Sequence, residues 1–170
     1  MAAKVPVWDV AAGLVFVLVA ARLAVGATWA WGAVTKPPPE FGWLGGSLRS
    51  QVEHNIIPGY SWIVEHVMLP NITMIGWTAF IVEAYLAVVL ILGIATRLNG
   101  LLAMLWGLNV AIGSVGVPLE PMWVLMPFVL LPMMVAEGRA GRTLGVDQIL
   151  YPRLKESRRP LLRLIGRRCM

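Results

Sequence analysis

Residues 9–34, DVAAGLVFVLVAARLAVGATWAWGAV, and residues 71–94, NITMIGWTAFIVEAYLAVVLILGI, decide the fold. Each stretch exceeds the ~20 apolar residues that a helix needs to cross a hydrocarbon layer about 30 Å thick. Each also carries one charge near its middle, Arg22 in the first and Glu83 in the second. A charge at that depth is costly unless it is paired or hydrated, so each needs a structural or functional reason. A soluble fold would have to bury several such uniform helices inside a chain of 170 residues. The reading is therefore an all-α integral membrane protein.

Four spans account for the apolar blocks: Trp8 to Val34, Asn71 to Ile94, Leu98 to Val115 and Pro121 to Val135. Asp9 suits the first turn of the first span, and the proline run at 37–39 stops it, because proline lacks an amide proton and clashes with the preceding turn. Pro127 and Pro132 are expected to bend the fourth span and free carbonyls for neighbours. The first block ends in TKPPPE without a small-x-small cleavage site, so it reads as a retained span rather than a signal peptide.

Composition agrees. Hydrophobic residues make up 58% of the chain and charged residues 14%, against about 45–50% and about 25% in ordinary soluble domains. The single cysteine, Cys169, excludes an internal disulfide and a cysteine-built metal centre. Nine of the fourteen Lys and Arg residues fall between Arg139 and Arg168. Directly after a membrane span, such a cluster reads as positive-inside bias and attraction to anionic lipid, not nucleic-acid binding. With Arg97 in the short turn between spans two and three, it sets both termini on the cytoplasmic side and the 36–70 connection outside.

Within that connection, SQVEHNIIPGYSWIVEHVMLP (50–70) predicts a turn at Pro58-Gly59 and an amphipathic helix near 60–68. Ile57, Tyr60, Trp62, Ile63 and Val67 form its apolar surface, against the outer leaflet or a partner. Trp29, Trp31, Trp43, Trp62 and Trp77 fit an outer aromatic belt. Glu53-His54 and Glu65-His66 are adjacent acid–imidazole pairs whose spacing specifies no metal site, so no metal is assigned.

Counting depth from opposite faces brings the intramembrane charges together. Arg22 lies about 21 Å along the helix from Trp8, Glu83 twelve residues in from Asn71, and Asn109 enters from the third span. An Arg22–Glu83 pair with Asn109 as a secondary member is the expectation. One role for it is an internal polar lock, since losing one partner of a buried pair strands the other. The other is a quinone headgroup site built from Arg22, Trp29, Glu83 and Asn109, with Gly26 permitting close helix approach and Lys36 beyond it at the outer surface. Glu83→Ala is expected to impair folding or assembly; a variant that assembles normally but loses quinone reduction counts against the lock. Asp147, in GRAGRTLGVDQIL, is expected to receive hydrogen bonds from Arg139 or Arg142. No dinucleotide fingerprint, P-loop or catalytic cysteine pair is present, so independent catalysis is not expected.

The segments ARLAVGATWAWGAVTK (21–36), VEHNIIPGYSWIVEHVMLPN (52–71), IVEAYLAVVLILGIATRLNG (81–100) and GRAGRTLGVD (138–147) together resemble the DoxX/DoxD-like membrane family. That family includes the small membrane subunit associated with thiosulfate:quinone oxidoreductases. The resemblance covers roughly residues 10–150; GRTLGVD departs from the family's aromatic-containing glycine–serine–aspartate exit. It implies a four-transmembrane-helix bundle over 1–150, with Arg22, Glu83, Arg97 and Asp147 as the positions to carry over; residues 151–170, with apolar residues among their positive charges, read by themselves as a basic cytoplasmic interfacial tail. The resemblance also implies an accessory or scaffold subunit of a membrane-bound redox or energy-converting complex, in the inner or plasma membrane, with no intrinsic cofactor. Two alternatives stand beside it: a quinone-interacting small subunit, and a small-solute transporter that would need a homo-oligomer to enclose a path.

Overall fold

The computed structural model describes residues 7–118, 127–138, 140–156 and 169. Their regular structure is entirely helical: α1 (Val7–Val34), α2 (Leu44–His54), α3 (Tyr60–Ile63, running on as a π-helix over Val64–Met68), α4 (Ile72–Leu92), α5 (Thr96–Gly113), α6 (Pro127–Glu137) and α7 (Val146–Lys155), with a short 3₁₀ turn at Ala140–Arg142 before α7. Two of these, Gly13–Val34 within α1 and Ile72–Leu92, are long and apolar enough to cross a membrane. The expected start of the fourth span, 121–126, lies outside the described residues, as do Arg139 and the basic tail over 157–168. The side chains of Trp8 and Asp9 are likewise not described.

Local chemistry sets the ends of these helices. α1 stops shortly before the proline run, where the residue preceding a proline is pushed out of helical conformation. α4 closes in a Schellman turn: Gly93 is left-handed (φ 70°), its N–H bonds the Leu90 carbonyl, and the Ile94 N–H reaches back to Val89.

α1 packs along α4 and α5 along α6, and the two pairs meet mainly through α1 against α6 and α4 against α5. Val25, Trp29, Leu86, Leu90, Ala103 and Val135 form the core between them. Pro127 opens α6 as its first residue, where a missing amide proton costs nothing. Pro132 lies inside α6 and cannot donate to the Phe128 carbonyl. α5 takes up that exposed backbone, since Gly107 faces the Phe128 carbonyl and has no side chain to hold the helices apart.

Two helices were not expected from sequence. α2 occupies the first half of the 36–70 connection, with Leu48 buried beneath it. Asn55 at its end donates to the carbonyls of Ile112 (2.9 Å) and Gly113 (2.8 Å), tying it to the end of α5. α7 follows the glycine-rich exit and runs on through residue 150. The helix expected near 60–68 is present as α3 and its π-helical continuation, with Trp62, Ile63 and Val67 exposed and Val64 buried.

Candidate functional site

The antiparallel register of α1 and α4 decides where the buried charges go. Gly26 sits against Ile91 and the Ala87 carbonyl, Gly32 against the Glu83 carboxylate, and Gly93 against the Arg22 guanidinium. Arg22 and Glu83 are therefore not partners. Arg22 is ten residues, about 15 Å, along α1 from the level of Glu83. α4 begins well past the Val34 end of α1, so Glu83, twelve residues in from Asn71, is level with Gly32 near that end and not with Arg22. Phe41 and α2 fill the space beside this overhang, with the Phe41 ring against Gly76.

The partner of Glu83 is Lys36. Its Nζ lies 2.9 Å from Oε2, and both side chains are almost wholly buried. Gly32, one turn before Lys36, makes room for the carboxylate; any side chain there would occupy the same space. The Lys36 ammonium also stands 5.0 Å from the centre of the Trp43 ring, close enough for cation–π attraction. Lys36 was expected at the outer surface; the packing of 36–48 over the end of α1 buries it.

This pair borders a cavity of about 500 Å³. Trp29 and Gly32 of α1, Ala79 and Glu83 of α4, and Trp106 and Asn109 of α5 form its walls, with Phe128 of α6 at one side. Leu48 and Gln51 of α2 and Tyr60 of α3 close it above. Tyr60 Oη donates to Gln51 Oε1 at 3.3 Å, and burial raises the phenol above its ordinary pKa. The indole N–H groups of Trp29 and Trp106 are buried with no hydrogen-bond partner among the described residues. An unpaired buried donor costs about 1–3 kcal/mol. Of the residues expected at a headgroup site, Trp29, Glu83 and Asn109 come together here, and Arg22 does not.

Trp29 also leaves the expected aromatic belt. It is 3% exposed and packs on Phe128 (centroids 5.6 Å apart), whereas Trp31, two residues on, is 70% exposed. Trp43, Trp62 and Trp77 are exposed. His66 stacks on Trp62 with centroids 5.0 Å apart, and the Glu53–His54 and Glu65–His66 pairs lie on exposed helix faces.

Arg22 belongs to a second cluster, at the middle of α1 and level with the Gly93 turn that ends α4. It donates to the carbonyls of Leu144 (2.8 Å) and Ala140 (3.4 Å). Asp147, fully buried, accepts from Ala95 N (2.6 Å), Thr96 N (2.8 Å) and Thr96 Oγ1 (2.7 Å), and so caps α5 from a distant part of the chain. Thr96 Oγ1 in turn accepts from Gly141 N at 3.1 Å. Two non-glycine residues here are left-handed, Ala95 (φ 44°) and Leu144 (φ 51°). That conformation costs about 1–2 kcal/mol. Asp147 holds the amide of one and Arg22 the carbonyl of the other, so the two charges clamp two strained turns. Of the two arginines expected to donate to Asp147, Arg139 lies outside the described residues, and Arg142 lies over the Tyr151 ring at 3.6 Å. Arg97 faces Glu137 at 3.9 Å, linking the start of α5 to the end of α6.

Compared with known proteins, the chain matches no family model, no curated protein and no solved structure.

Proposed function

We propose that the chain is a multi-pass membrane subunit of the DoxX-like kind whose outer-half cavity binds a quinone-type headgroup. In this reading it serves a membrane redox complex without catalysing the reaction alone. α1, α4, α5 and α6 are the four spans; both termini are cytoplasmic, and α2 and α3 lie outside. Support for the membrane setting comes from the apolar exterior: Phe16, Leu23, Ile81, Val88, Leu105 and Leu130 are all exposed. Only 22% of the apolar window in α1 and 39% of that in α4 is buried, the reverse of a soluble core helix.

The observation that carries the ligand reading is the cavity itself. Its apolar, aromatic walls suit a flat ring, and few polar groups converge on it, the usual make-up of a small-molecule site. Lys36 has three N–H donors, and Glu83 engages it through a single oxygen, which leaves donors for a quinone oxygen. The indole rings of Trp29 and Trp106 add flat apolar wall. Electrons would come from an associated subunit, since a quinone accepts electrons and protons but needs a donor.

The test is purification of the full chain in native lipid, with identification of bound small molecules and partner proteins. The expected result is near-stoichiometric quinone that Trp106→Phe and Lys36→Met deplete. A stable complex free of quinone overturns the ligand reading in favour of a scaffold.

A further inference from the structure

A smaller cleft of about 50 Å³ lies in the seam between α1 and α6. Val25, Pro127, Leu131 and Pro132 line it, and it shares Thr28, Trp29 and Phe128 with the large cavity. The Trp29–Phe128 ring pair, tilted at 60°, therefore stands between the two spaces. We infer that the cavity's ligand carries a long apolar tail that leaves through this seam, past Trp29 and Phe128, so that the ligand enters from the lipid core rather than from water. The inference rests on the ligand reading above and adds the ligand's second half and its route.

Three features support it. The small cleft holds only about three water-sized volumes, too narrow for a second ring but sufficient for methylene groups in single file. Its surface is apolar in effect: the one polar side chain, Thr28, spends its hydroxyl proton on the Ala24 carbonyl at 2.9 Å. And it reaches the exterior, because Thr28 and Pro127 are exposed, beside the exposed Leu130.

The other ways out are less suitable. Above, Leu48 is buried under α2, which is pinned to α5 through Asn55, so α2 roofs part of the cavity, and the exposed rings of Trp31 and Trp43 flank the mouth beside it. Between α4 and α5 the rim carries Thr78 and Asn109. Asn109 presents an exposed amide there, a poor lining for a hydrocarbon chain. The polar head thus sits under the roof beside Lys36 and Glu83, and the tail exits at the α1–α6 seam.

The test uses the full chain in lipid nanodiscs and two probes with one headgroup: a dimethoxy-methyl-benzoquinone without a tail, and its decyl-tailed form. Pro127→Trp plugs the outer lip of the seam, and Leu131→Ala widens it; neither residue lines the headgroup cavity. Pro127→Trp is expected to weaken the decyl probe about tenfold and leave the tailless probe within twofold. Leu131→Ala is expected to speed association of the decyl probe alone. A diazirine at the end of the tail should label α6 between 127 and 131. If both probes bind but the plug changes neither, or if the label falls on α4 and α5 near Thr78 and Asn109, the seam is not the route and the headgroup site survives. Failure of both probes to bind the parent chain overturns the headgroup site and the tail route together.

Discussion

Asp147→Ala removes the carboxylate that caps the start of α5. The carboxylate is fully buried and accepts three hydrogen bonds, from the backbone of Ala95, the backbone of Thr96 and the Thr96 hydroxyl. Hydrogen bonds to a charged group contribute about 1.5–3 kcal/mol each. Three at the lower value give about 4.5 kcal/mol, in line with the ~3–5 kcal/mol lost when one side of a buried charged contact is removed. The substitution also releases the left-handed Ala95 turn that starts α5. We expect a loss of about 4 kcal/mol, or roughly a thousandfold in the unfolding constant, from a total of ~5–15 kcal/mol. Unfolding by sodium dodecyl sulfate in mixed micelles, compared with the parent, measures it. Hydrogen exchange should show protection lost first at the amides of Ala95 and Thr96. Thr96→Val is the comparison: it keeps both backbone bonds to Asp147 but removes the hydroxyl bond and the acceptor of the Gly141 N–H, and it should cost less than Asp147→Ala. An Asp147→Ala protein within about 0.5 kcal/mol of the parent would falsify the capping argument.

Two further outcomes follow from the outer half. Glu83→Ala and Lys36→Met should each destabilise by about 3–5 kcal/mol, because each strands a buried charge. Glu83→Leu combined with Lys36→Met should recover much of that loss, and a double-mutant cycle showing simple additivity would mean the two residues act apart. For Tyr60, the raised pKa means that the folded state holds its proton at pH values where the unfolded chain, at about 10, has lost it. Stability should therefore fall with rising pH from that point up to the folded pKa. Tyr60→Phe should flatten this alkaline decline; a decline unchanged in the variant assigns it to other groups.

The helices were legible because their signal is local. Runs of twenty or more apolar residues set α1 and α4, and prolines and glycines set their ends, so those bounds fall within a residue or two of expectation. α2 was hidden because LGGSLRSQVEH has two glycines in its first turn and few apolar residues; it is helical because Leu48 packs beneath it and Asn55 anchors its end. The partners of the charges were not legible for a different reason. Pairing depends on the register of α1 against α4, and both helices are apolar on every side, so no hydrophobic stripe fixes rotation or offset. The sequence signal that does carry the register is the glycines: Gly26, Gly32 and Gly93 stand where α4, a carboxylate and a guanidinium come close. Reading them as contact points with α4 would have placed Glu83 beside Gly32.

That register also explains why the chain carries two separate charged clusters. A single Arg22–Glu83 bond at mid-depth would fix one contact between α1 and α4 and leave the ends free to splay. The observed arrangement places one cluster by the Val34 end of α1 and the other at mid-helix, level with the Gly93 turn that ends α4. Near the Gly93 turn, Arg22 and Asp147 neutralise the strained turns and close the bundle, with Gly145 and Gly141 kept bare to admit them. At the outer end, Lys36 and Glu83 hold α1 to α4 while α5 stands off far enough to leave a cavity. The closed end supplies rigidity, and the open end can then keep polar groups beside an unfilled space, which a uniformly packed bundle would collapse. The division predicts an asymmetry: changes at Asp147 should lower stability with or without ligand, whereas changes at Trp106 should chiefly alter binding. Loss of binding on Trp106→Phe with an unchanged unfolding midpoint separates the two ends experimentally.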